Sequence, residues 1–104
     1  MISVKSKNKV LIRLTDERIR HIIMNHPEIK NCIPWVLETI GKPDFILSGD
    51  FGELVAVRQY GKTPVTNDKY LTVVYKETGL YDGFILTAYF SRDINKKRKI
   101  IWKL

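Results

Sequence analysis

A single cysteine, Cys32, occurs in the 104 residues. It has no partner for an internal disulfide and no second thiol for a CxxC metal pair, so a reducing, cytoplasmic compartment is expected. Long apolar runs are absent too. None approaches the roughly 20 residues that span a bilayer, and Met1-Ile2-Ser3-Val4-Lys5 lacks the apolar stretch of a secretion signal. No linker, repeat or low-complexity tract interrupts the chain, which excludes a modular or disordered reading and leaves one domain over 1–104. Histidine is scarce, with two residues, and acid is scarce relative to base: 11 Asp and Glu against 18 Lys and Arg, a formal charge of +7. What is present is enough apolar material for a core, at 44% of residues with 11% aromatic.

The charge is concentrated at the ends. Residues 1–13 carry Lys5, Lys7, Lys9 and Arg13 with no acid, and residues 92–104 carry Arg92, Lys96, Lys97, Arg98, Lys99 and Lys103 against Asp93. The stretch between them is slightly acidic. Basic clusters recruit a phosphate backbone by releasing its counterions, so RNA is the expected partner. An anionic membrane surface fits less well, because neither basic stretch has a long amphipathic face. Simple solvation of basic tails is the bland alternative.

Along the chain, Val10 to Leu14 reads as a short strand ending at Thr15, a good N-cap. Asp16 and Glu17 then place negative charge where a helix dipole favours it. Ile19, Ile22 and Ile23 recur at helical spacing, and Pro27 disfavours helix at His26, so the first helix ends near Asn25 or His26. A second helix is expected over Ile33 to Ile40, with Pro34 in its first turn and Gly41 and Pro43 as its stop. Strands follow at Phe45 to Leu47, Glu53 to Tyr60, Tyr70 to Lys76 and Phe84 to Phe90, with a polar loop over Gly61 to Asp68. Lys99 to Trp102 can add a short edge strand. The expectation is an α+β fold: a short N-terminal strand, two helices, then an antiparallel four-stranded meander with the helices on one face. In the last meander strand, Phe84, Leu86, Ala88 and Phe90 are expected to meet the helices. Ile85, Thr87, Tyr89 and Ser91 are expected to face a cleft.

Several segments together resemble a known group: the helix Leu14 to Ile22 with His21, then His26-Pro27-Glu28, then Thr39 to Asp44. Arg58-Gln59-Tyr60, Tyr70 to Val74 and Leu86-Thr87-Ala88-Tyr89 follow. Over about residues 10–91 the chain is similar to the phage-associated nucleases grouped with barnase, EndoU, colicin D and RelE toxins. The resemblance implies helices packed on an antiparallel sheet and, in many members, metal-independent RNA cleavage without a cofactor.

That chemistry needs a base for the 2′-hydroxyl, an acid for the leaving 5′-oxygen and cations for the phosphorane. Histidine suits the first two tasks and arginine the third. His26 and His21 are the acid–base candidates, and Arg58 the cation, since a charge within an apolar strand needs an open or paired face. Thr87 and Tyr89 are candidates to position substrate. Tyr60, Glu28 and the run Lys96, Lys97, Arg98 and Lys99 are candidates to bind it. Each has a plainer reading: a helix-terminal histidine bonded to carbonyls, a solvated His21 and Glu28, a salt-bridged Arg58, and ordinary strand composition at Thr87 and Tyr89. His21 and His26 lack the i, i+4 spacing of a helical metal pair, so no metal is expected. Two further readings stay open: a non-catalytic nucleic-acid-binding module, and a basic domain that docks on an acidic protein. A toxin-like nuclease would itself have an acidic neutralising partner.

Overall fold

In the computed structural model, which describes residues 1–61 and 70–104, the elements follow the local signals closely. Strands β1 (Ile2–Lys5) and β2 (Leu11–Leu14) precede helix α1 (Asp16–Asn25). Thr15 caps α1, its hydroxyl accepting the Arg18 N–H at 3.1 Å. A 3₁₀ turn (Pro27–Asn31) leads into α2 (Ile33–Gly41), and then β3 (Phe45–Ser48), β4 (Leu54–Gln59), β5 (Tyr70–Glu77), β6 (Gly83–Ser91) and β7 (Ile100–Lys103). Most of the expected 61–68 loop lies outside the described residues.

The sheet is wider than the expected meander. Among the described residues its seven strands run in the order β1-β2-β6-β5-β4-β3-β7. The antiparallel β3-β4-β5-β6 run is there, flanked by β7 on β3 and by the β1-β2 hairpin on β6. The β2–β6 pairing is parallel, which makes the sheet mixed. It begins at Gly83, where a Cβ would collide with the Lys76 carbonyl oxygen and lie 2.7 Å from Ile12 Cδ1. Only glycine lets the two strands approach so closely.

The sheet curls around α2. The Lys7 ammonium, next to one edge strand, sits 5.0 Å over the Trp102 ring in the other. Inside the curl, Ile12, Leu14, Ile22, Ile29, Val36 and Ile40 from the N-terminal half meet Ala56, Leu71, Val73, Tyr75, Ile85 and Ala88 from the sheet. Near one end, the buried Ser6 ties the β1–β2 turn to β5, its hydroxyl donating to Glu77 Oε2 at 2.5 Å. Among the described residues no helix is long and apolar enough to cross a membrane.

One face assignment on β6 is corrected. The β5–β6 register shifts between Val74 and Tyr75, so that Val74 faces Thr87 while Tyr75 faces Ile85. Leu86 is the extra residue of a bulge, and a bulge resets the alternation. Ile85 therefore joins Ala88 and Phe90 on the helix side, while Phe84 and Leu86 remain half-buried outside that cluster. Thr87, Tyr89 and Ser91 keep their shared opposite face.

Candidate functional site

The site is built where α1 passes the unpaired edge of β6. Strand β2 pairs with β6 only at Gly83 and Phe84, and the chain then turns into α1 beside the rest of that edge. Arg18 Nη1 donates to the Leu86 carbonyl at 3.4 Å, and the His26 ring lies 5.6 Å from the Tyr89 ring, tilted by 32°. Helix and strand thus advance side by side, bringing the end of α1 next to the end of β6.

His26 is held from both sides by its backbone. Its N–H donates to Ile22 O at 2.7 Å, ending α1, and its carbonyl accepts the Ile29 N–H at 3.0 Å, starting the 3₁₀ turn. Among the described residues no carbonyl accepts from the ring. Instead, Nδ1 lies 3.7 Å from Glu28 Oε1, an ion pair whenever the imidazole is protonated. Both side chains are about one-third exposed, at 35% and 33%. His26, Glu28 and Tyr89 therefore form one cluster, with Thr87 two residues away on the same strand face.

His21 is elsewhere. Five residues before His26, it points to a different side of α1. It contacts Asn25, with 3.5 Å between its Nε2 and Asn25 Nδ2, and lines a shallow groove of about 460 Å³ with Arg18, Arg20 and Met24.

Arg58 and Tyr60 also lie apart, on the helix-covered face. Arg58 donates from Nη1 to Lys42 O at 2.6 Å, pairs through Nε with Glu38 Oε1 at 3.4 Å and stands 5.5 Å over the Tyr60 ring. Tyr60 donates to Glu38 Oε1 at 2.7 Å and stacks on Trp35 at 5.2 Å. Burial, reinforced by the Glu38 hydrogen bond, pushes the Tyr60 phenol up to about 12. The geometry is that of a clamp between β4 and the end of α2.

The basic run belongs to residues 92–99, a strap that crosses the second sheet face from the end of β6 to the start of β7. Ile94 anchors it on Leu47, Val55 and Val57. Arg98 fixes it further, donating to Ser48 O at 3.2 Å and to both Asp50 carboxylate oxygens at 3.0 and 3.3 Å. Lys96, Lys97 and Lys99 remain exposed. Between strap and sheet is a hollow of about 210 Å³ that reaches Thr72, Tyr89, Ser91, Asn95 and Arg98.

No family model, curated protein or solved structure matches this chain.

The chemistry must therefore be read from the residues alone. The structure brings His26 beside Glu28 and Tyr89, sets Thr87 on the same strand face as Tyr89, and leaves out His21, Arg58 and Tyr60. Arg18, Thr72 and Asn95 are additions that the sequence reading missed. Thr72 becomes visible only once it is found opposite Tyr89 in the β5–β6 register. Arg18 and Asn95 gave no local signal, because a guanidinium two turns before His26 and an amide in a lysine-rich segment both look like solvated surface.

Proposed function

We propose that the chain is an endoribonuclease that cleaves RNA by attack of the 2′-hydroxyl on its own phosphodiester, with His26 as the acid–base group. The observation that supports this is the approach of the His26 ring to Tyr89, with the Glu28 carboxylate beside Nδ1. A carboxylate on that side favours the tautomer protonated at Nδ1, leaving Nε2 to take the 2′-hydroxyl proton. The Tyr89 hydroxyl is the nearby donor for the leaving 5′-oxygen, and Thr87 a donor for a phosphate oxygen. Attack expels the 5′-oxygen and leaves a 2′,3′-cyclic phosphate. The exposed strap lysines hold the polyanion, and an acidic protein covering them would neutralise the enzyme.

A binding module without catalysis is the second reading, and one observation favours it. Arg58 and Arg98 are already occupied by protein carboxylates and carbonyls. Three of the exposed strap cations, Lys96, Lys97 and Lys99, are lysines, which supply affinity without the bidentate geometry that suits a phosphorane.

The test is incubation of the purified chain with tRNA and mixed-sequence RNA in a chelator. Products ending in cyclic phosphate are expected, together with a loss of at least about 100-fold in His26→Ala, the usual scale for an acid–base group. No products, with salt-sensitive retention of RNA and DNA alike, would replace the nuclease by the binding module. Little affinity for either polymer would leave docking on an acidic protein.

A further inference from the structure

Beside His26, the hollow under the strap has the dimensions and lining of a subsite. Its volume, about 210 Å³, falls below the roughly 300–1,000 Å³ of pockets that take drug-sized ligands. It has room for one flat ring. Val55 and Val57 form an apolar floor, with Ile94 above them. Tyr89 is a wall of the hollow on one side and the neighbour of His26 on the other.

We propose that this hollow seats one nucleobase, that of the nucleotide whose 2′-hydroxyl His26 activates. The proposal rests on the ribonuclease reading and adds to it a base preference. Polar groups meet the ring edge from two directions. Thr72, 5% exposed, offers its hydroxyl from the sheet. Asn95 offers its amide from the strap. The Asn95 Oδ1 already accepts the Lys97 N–H at 3.0 Å, so Nδ2 is the group left to face a ligand, and it can only donate. A donor there meets O2 or O4 of a single-ring pyrimidine, and a hollow of about 210 Å³ has less room for a fused purine. Stacking on Tyr89 adds attraction that any base can share. The choice between bases therefore falls to the room in the hollow and to its polar lining, Thr72 and Asn95 together with Ser91, Asp93 and Arg98.

The closing experiment maps cut positions in a mixed-sequence RNA in a chelator for the wild type, Asn95→Ala and Thr72→Val. In parallel, the labelled protein is titrated with uridine 3′-monophosphate and adenosine 3′-monophosphate, and its amide resonances are followed. Cutting after adenosine and guanosine is expected to be about tenfold slower than after uridine and cytidine, the scale of overpacking a small site with a second ring. Asn95→Ala, a change on the exposed strap that leaves the core intact, should narrow that gap. The uridine nucleotide should shift the amides of Thr72, Tyr89 and Asn95 at lower concentration than the adenosine nucleotide. Cutting without base preference, or a preference unchanged in both variants, overturns the proposal. Shifts at those three amides without any cleavage would keep the base site and remove the ribonuclease reading. Cleavage without shifts there would do the reverse.

Discussion

The same strands build two unlike surfaces, and the contrast follows from their alternation. Towards the helices, Ala56, Leu71, Val73, Ile85 and Ala88 are fully buried, and the charges that intrude are answered within the fold, Arg58 by Glu38 and the Lys42 carbonyl. Towards the strap, Leu47, Val55 and Val57 form a much smaller apolar cluster, and Thr87, Tyr89 and Ser91 leave it half open. One side is spent on stability. The other keeps hydroxyls within reach of solvent, with the His26 imidazole at its edge beside Tyr89, which is what a site for a polar ligand requires.

The sharpest way to break this comparison is a matched pair of truncations. Leu71→Ala on the helix side should cost about 3 kcal/mol in urea unfolding, as fully buried leucines do. Ile94→Ala on the strap, where the side chain is only half-buried, should cost under about 1 kcal/mol. Equal losses would mean that the strap is as integral as the helices. Next comes Arg58→Ala, which should lose about 1.5 kcal/mol by removing a charged donor from Lys42 O, while RNA cleavage continues at the wild-type rate. A large fall in cleavage without a fall in stability would return Arg58 to the chemistry.

Tyr75→Phe should act in the opposite direction. The Tyr75 side chain is fully buried and its hydroxyl has no hydrogen-bond partner among the described residues, so deleting that oxygen should raise stability by about 1 kcal/mol in the same unfolding assay. A further effect is confined to alkaline pH. The folded Tyr60 phenol keeps its proton up to about 12, whereas the unfolded one loses it near about 10. Between those values the unfolded chain binds fewer protons, so stability falls as pH rises and the loss is complete above the folded value. Tyr60→Phe should flatten that part of the stability profile.

Much of the architecture was legible in local chemistry. Thr15, Asp16 and Glu17 announced the start of α1, Pro27 its end, Gly41 and Pro43 the end of α2, and alternation located the meander strands. What was not legible depends on pairing between distant segments. The Leu86 bulge shows only when β6 is laid against β5, and it reversed the assignments of Ile85 and Phe84. β1, four residues with a single half-buried position, carried no periodic signal at all. At the site, the proline after His26 marked a special position, and the Thr87–Tyr89 alternation survived because it lies beyond the bulge. Arg58 was misleading for a physical reason: a charge within a buried strand signals a partner, and sequence cannot say whether that partner is a ligand or Glu38.

The parallel β2–β6 pairing also bears on the order in which the molecule can be made. Residues 11–41, with both helices, leave the ribosome long before Gly83 exists to receive β2. Until then Ile22 and Ile29 have no β6 to cover, and the β1–β2 hairpin has no neighbouring strand. Contacts so distant in sequence close slowly, because the intervening chain must first give up its freedom. Assembly can therefore begin among β3 to β6, with the N-terminal third docking last. During synthesis that third is the part exposed to chaperones and proteases.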